Sequence, residues 1–184
     1  MDSLNGKSNK RDGQLLTEAI VAMGIFAIAI VGIIGIIARA VHEGRTVGDQ
    51  FIAANLAAEG LEVTKNIIDS NVINKDAWNA GIAPGSYQVS YLSTSLGQQL
   101  PVNAGSLSSE YNTPGLRDLL FSTSTHVYGY ASGSPTTFKR FVAVSNVNNN
   151  PYQIRVISTV LWITTSRSGN VGSVTVATDF LNWR

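Results

Sequence analysis

The chain has 184 residues, enough for one medium domain or for an anchor joined to one small domain. Thirteen Lys and Arg against twelve Asp and Glu leave a formal charge of +1, so no strong basic field points to nucleic acid. There is no cysteine, which removes disulfides, thiolate nucleophiles and Cys-based metal sites together.

Residues 1–13 are polar and place Lys7, Lys10 and Arg11 just ahead of an apolar run. Positive charge on this side keeps the N-terminus in the cytoplasm and sends the C-terminus across the membrane. The passage Gly13-Gln14-Leu15-Leu16-Thr17-Glu18 follows, and then twenty residues without a charge, Ala19 to Ala38. At ~1.5 Å per residue, twenty helical residues cover ~30 Å, the thickness of a hydrocarbon core. Glu18 is the anomaly, because Leu15 and Leu16 place it inside the apolar segment rather than in front of it. A carboxylate costs ~2.5–3.5 kcal/mol at the centre of a membrane helix and less near its end. An intramembrane charge is therefore a functional residue in search of a partner. Cutting between Gly13 and Gln14 would create one, an α-amine one helical turn before Glu18. With a reference pKa of about 8, that amine is largely cationic at neutral pH. The amine of a neighbouring subunit would serve equally well.

A short basic leader ending in Gly, then x-Leu-Leu-Thr-Glu before the apolar run, resembles the class III signal of type IV pilins and type II secretion pseudopilins. The resemblance implies that a prepilin peptidase cuts after Gly13 and that the new N-terminal Gln14 is methylated. It implies that Glu18 guides the subunit into a filament, with other pilin or pseudopilin subunits and the membrane as partners. The fold it implies is α+β, the pilin-like lollipop. A long N-terminal α-helix, half transmembrane and half amphipathic, packs against an antiparallel β-sheet head. The corresponding divisions are a leader at 1–13, an assembly helix at 14–70 and a β-rich head at 71–184. No cofactor and no metal are expected. The precursor belongs in the cytoplasmic membrane with its head outside the cytoplasm, and the mature chain in the pilus or pseudopilus.

A conventional secretory signal is the rival reading of this region, since Ala38-Arg39-Ala40 fits the small-x-small cleavage pattern. The usual apolar core of such a signal is ~7–15 residues, shorter than this run, and the rival leaves Glu18 without a role. Gly24, Gly32 and Gly35 interrupt the run. Close helix packing is one account of them. The family suggests another for Gly32 and Gly35, a stretch that melts so that the helix can extend within a filament.

From Arg39 to about Ile68 the pattern is amphipathic. Val47, Phe51, Ala54, Ala58, Leu61 and Ile68 fall on one stripe at ~100° per residue. Ile52, Leu56, Val63 and Ile67 fall almost opposite, with Asn55, Glu59, Glu62 and Asn66 between them. A helix lying on one core needs one apolar face. Two faces imply two partners, the head on one side and neighbouring helices on the other. The passage Ala57-Ala58-Glu59-Gly60-Leu61-Glu62 resembles minor pilins and minor pseudopilins more than major ones.

After Asp69-Ser70-Asn71 the composition turns to Ser, Thr, Gly, Asn, Val and Tyr. Ser86 to Leu92 alternates apolar and polar residues and predicts a half-buried strand. Residues 93–116 read as a long loop. Short strands are expected at Leu119–Phe121 and His126–Tyr130, a turn at Gly133-Ser134-Pro135, and longer strands at 138–145, 152–164 and 171–183. Turns at Asn148–Pro151 and Ser168–Asn170 make the set an antiparallel meander packed on one helix stripe. The Phe138-Lys139-Arg140-Phe141 stretch, Trp162 and Leu181-Asn182-Trp183 loosely resemble minor pilin heads.

Catalytic patterns are missing. The two histidines, His42 and His126, are far apart, and no His-Glu-x-x-His, Gly-x-Ser-x-Gly or phosphate-binding glycine loop occurs. Asp76, Asp118 and Asp179 are too scattered for a calcium loop. The six tyrosines could build a binding surface, although strands favour Tyr in any case. The expected function is that of a structural filament subunit, minor rather than major, and not an enzyme. The alternatives are a permanently anchored binding module that does not polymerise, and a signal-anchored enzyme.

Overall fold

The computed structural model describes residues 9–102, 105–148, 150–164 and 170–182. Most of the leader, including Lys7, lies outside them, as do Trp183 and most of the turn read at Ser168–Asn170. The chain divides into two compact units, residues 1–45 and 46–184.

The described part of the first unit is helix throughout, the beginning of α1 (Asn9–Ile73). No proline interrupts α1. Its Ile and Val content lowers helix propensity in water, but in hydrocarbon a helix is one of the few ways to satisfy every backbone group internally. From Gly13 to Glu43 every side chain is exposed, including Met23, Phe26, Ile28 and Ile36, each more than 60% exposed. This is a surface of membrane-spanning length and hydropathy, none of it buried among the described residues.

The second unit is α+β. It begins with the remainder of α1 and continues through β1 (Gly85–Tyr87), β2 (Gln99–Leu100), α2 (Leu107–Tyr111), β3 (Asp118–Ser122), β4 (Val127–Gly129), β5 (Ser134–Asn146), β6 (Gln153–Ile163) and β7 (Val171–Leu181). All seven strands join one antiparallel sheet. The expected meander holds for β5–β6–β7. It fails before β5, whose other edge is shared by β1, at Val142–Val144, and by β3, at Ser134–Lys139.

That sharing explains why the expected strand at Ser86–Leu92 stops at Tyr87. Tyr87 sits opposite Val142, and Lys139 is already paired to Asp118. A longer β1 would run into β3. The predicted loop at 93–116 is also corrected, for it holds β2 and the five-residue α2, capped by Ser106 Oγ accepting from Ser109 N–H. These pieces carry Leu100, Tyr111 and Leu116 onto Phe141 and Leu161, giving the sheet a second core on its outer face. His126 is not in a strand. It occupies the turn before β4 with φ 57°, a left-handed conformation. Pro135 lies within β5 rather than in the turn; it stands one residue from the strand start, where a missing N–H is tolerated.

The helix runs on to Ile73 because Asp69-Ser70-Asn71 stays helical. Lys75, at φ 65°, then ends it, and Asn71 Nδ2 donates to the Trp78 and Ala80 carbonyls to hold the reversal. Of the two helix stripes, the one carrying Leu56, Val63 and Ile67 is buried against the sheet, together with Ala53, Ala57 and Thr64. Val47 and Phe51 of the other stripe are more than 60% exposed, while Ile68 turns into the core.

Trp162 on β6 is 2% exposed and lies over Gly172 of β7, where an added methyl would come within 2.6 Å of Cε2. It stacks near Phe138, with ring centroids 6.2 Å apart. Trp162→Ala is therefore expected to destabilise the head by ~3–5 kcal/mol, read as a lower urea midpoint. A loss below ~1 kcal/mol would mean that the ring is not part of the core.

Candidate functional site

In the first unit, Gly13, Gln14 and Glu18 all lie within α1 and are exposed. Thr17 Oγ1 donates to the Gln14 carbonyl at 2.9 Å, the back-bond expected of a helical threonine. Gln14 and Glu18 are four residues apart and share a helix face with Val21, Ala22 and Ile25. The other polar side chains described there, Gln14 and Thr17, are uncharged, and the Glu18 carboxylate stands at the front of the apolar surface. Gly32 and Gly35 lie in unbroken helix, and an added Cβ at either would meet nothing within 4 Å.

In the second unit, Arg140, which the sequence marks only as part of the Phe138–Phe141 stretch, makes a dense set of polar contacts. Arg140 projects from β5 toward α1 and is fully buried. Its Nη1 donates to the Leu56 carbonyl at 2.8 Å, and its Nη2 to the Val89 carbonyl at 2.8 Å. Both nitrogens lie 3.2 Å from Glu59 Oε1. Burying a guanidinium is costly unless it is paired and hydrogen-bonded. Here one carboxylate and two carbonyls do that, leaving Nε without a partner. The Val89 carbonyl is available because β1 has already ended. Beneath Arg140, Tyr130 donates through its hydroxyl to the Arg140 carbonyl, and burial pushes the Tyr130 phenol up from its ordinary pKa. Arg117 lies over the Tyr130 ring at 4.9 Å.

The contact is a polar tier between two apolar ones. On one side Ala53, Leu56 and Ala57 meet Leu119, Phe138, Val160 and Trp162. On the other Val63, Ile67 and Ile68 meet Val142, Val144, Ile154 and Val156. Between them come Glu59 and Gly60 of the helix, with Arg140 and Ser158 of the sheet. A methyl on Gly60 would fall on Ser158 Oγ and within 3.2 Å of Val142 Cγ2, so glycine is what lets helix and sheet approach there. The sequence signal for this tier is a charged residue in line with Phe138, Val142 and Val144 on the inward face of β5.

Among the described residues no group of three His, Cys, Asp or Glu side chains converges as a metal site would require. His126 packs edge-on to Phe121, with centroids 6.4 Å apart. Comparison with protein-family models, with curated proteins and with solved structures finds no match.

Removing the guanidinium leaves the Val89 carbonyl buried without its donor, which costs ~1–3 kcal/mol. Arg140→Met, close in volume, is expected to lose about that much, and Arg140→Ala, which adds a cavity, ~3–5 kcal/mol. Urea unfolding followed by tryptophan fluorescence measures both. Equal stability of Arg140→Met and the parent would show that the polar contacts contribute nothing net.

Proposed function

We propose that the chain is a structural subunit, minor rather than major, of a type IV pilus or type II secretion pseudopilus. It is made as a cytoplasmic-membrane precursor, cut after Gly13, methylated on Gln14 and drawn into a filament through Glu18. The observation that carries this reading is the first unit's surface: a charge-free helical run, exposed along its whole length, with one carboxylate at its front edge. A simple anchor gains nothing from that carboxylate, which only adds to the cost of insertion. A subunit that must be selected by its neighbours does gain, because a lone charge in a poorly hydrated setting favours the one position that offers an opposite charge.

The second helix stripe supports the same reading. Val47 and Phe51 are exposed on α1, Phe51 lining a groove shared with Val127 and Tyr128, and adjoining helices of an assembly would cover them. The β head is then the part left to meet solvent or partners, and Gly32 and Gly35 are the positions at which the helix would loosen as it leaves the bilayer.

Glu18→Ala is expected to insert normally and to fold its head, while incorporation into filaments falls sharply. Glu18→Gln keeps the size and the hydrogen bonding but loses the charge, so it should behave like Ala if ion pairing with the Gln14 amine drives selection. Comparing sheared-filament and membrane fractions of the two variants decides the matter. Filament entry of Glu18→Ala at the parent level would favour the permanently anchored binding module instead.

A further inference from the structure

Among the described residues β7 pairs with β6 alone, in unbroken register from Gln153↔Leu181 to Ile163↔Val171. Its other edge therefore offers an eleven-residue row of backbone donors and acceptors. Edge strands of this length are normally blunted by Lys, Pro, a bulge or a short run. β7 has none of these: its sequence is VGSVTVATDFL, and its only charge, Asp179, is held by Arg155 at 2.7 and 2.9 Å and by Gln153 at 3.1 Å. The Arg155 guanidinium keeps the Asp179 carboxyl below its ordinary pKa, so the carboxylate stays ionised and engaged at neutral pH. α2 packs near Val171 on the outer face and leaves Ser173, Thr175 and Ala177 exposed.

We propose that β7 is a homophilic docking edge, pairing antiparallel with β7 of a second copy to join two heads into one continuous sheet. The strand is complementary to itself. Centred on Val176, two-fold pairing sets Val174 opposite Thr178 and Gly172 opposite Phe180 on the helix side. On the other face it sets Thr175 opposite Ala177, Ser173 opposite Asp179, and Val171 opposite Leu181. No charge meets a like charge, the Ser173 hydroxyl can donate to Asp179, and Leu181, 58% exposed in the single chain, gains an apolar partner. Val174, Val176 and Phe180, each half-buried, gain cover.

The pairing also has a direction. Core contacts advance along the helix from Ala53 to Ile68 as they advance along β7 from Val174 to Phe180, so the two run the same way. A two-fold pair therefore sets the two sheet-packed α1 segments antiparallel to each other, with their Thr46 ends at opposite ends of the shared sheet.

The absence of cysteine gives a clean background for a test on the full chain. Thr175→Cys and Ala177→Cys variants are each loaded one chain per lipid nanodisc, mixed and gently oxidised. Opposed residues in an antiparallel pair have Cα atoms about 4.5–5.5 Å apart, within disulfide reach. Thr175 and its own symmetry mate lie roughly 8 Å apart by strand spacing and rise, beyond that reach. The expected result is cross-linked dimer in the mixture and little from either variant alone. The double variant Thr175→Lys/Ala177→Lys in each Cys-free chain gives up the 3.2 Å hydroxyl contact between Thr159 and Thr175 but leaves the core intact, as circular dichroism checks, and should abolish the association of discs seen by light scattering. Equal cross-linking in all three samples, no cross-linking in the mixture, or undiminished association of the Lys variant would each overturn the proposal.

Discussion

One buried guanidinium fixes how helix and sheet meet in the head. Arg140 enters an interface that is otherwise apolar and finds the Leu56 carbonyl, the Val89 carbonyl and Glu59 within 3.2 Å. Apolar tiers alone would tolerate several positions of a smooth helix on a sheet, since dispersion is non-directional. The Arg140 contacts tolerate one. Sliding α1 by a turn would leave Arg140 without its carboxylate and put a side chain where only Gly60 fits over Ser158. Much of the remaining topology is arranged around this point. β1 ends early, so the Val89 carbonyl faces Arg140, and β3 takes over the edge of β5 that β1 gives up.

The parts of this fold written in a period were legible from sequence. A twenty-residue charge-free run, a helical pattern without proline and three long alternating strands give α1, β5, β6 and β7 nearly as they stand. The parts decided by tertiary competition were not. Ser86–Leu92 alternates as a strand should, but β5 has no edge left for it. The 93–116 segment is rich in Ser, Gly, Asn and Pro, yet four apolar side chains spaced along it, Leu100, Val102, Tyr111 and Leu116, suffice to cap the outer face. Of the two helix stripes read from sequence, the one carrying Leu56, Val63 and Ile67 lies on the sheet, and Ile68 of the other joins the same core. The buried stripe owes much of its fit to Ala53, Ala57, Gly60 and Thr64. These small residues are nearly silent in a hydropathy pattern and decisive for close approach. Of the candidate site, Gln14 and Glu18 were visible because a charge in an apolar run stands out. Arg140 was not, because a lone Arg in a strand is most often exposed.

The two units face opposite problems of solvation. The head hides a charge among apolar groups and satisfies it from within. From Gly13 to Ala38 the first unit displays apolar groups with one charge, Glu18, among them, and the described residues bury none of these side chains. Both its hydrocarbon surface and Glu18 need something external, and a bilayer provides for the first alone. The account of a subunit that leaves the membrane for a filament supplies both, by covering the apolar face with other helices and giving the carboxylate an amine.

The proposed filament role depends most directly on where the mature chain begins, because the amine proposed to pair with Glu18 would exist only once the peptide bond before Gln14 is cut. Intact-mass measurement of the protein extracted from membranes reads this without any assumption about structure. The predicted mass is that of residues 14–184 with one added methyl group, or less one ammonia where Gln14 has cyclised to pyroglutamate. A chain that retains Met1, or one that starts at Val41 after a secretory cut, would contradict it.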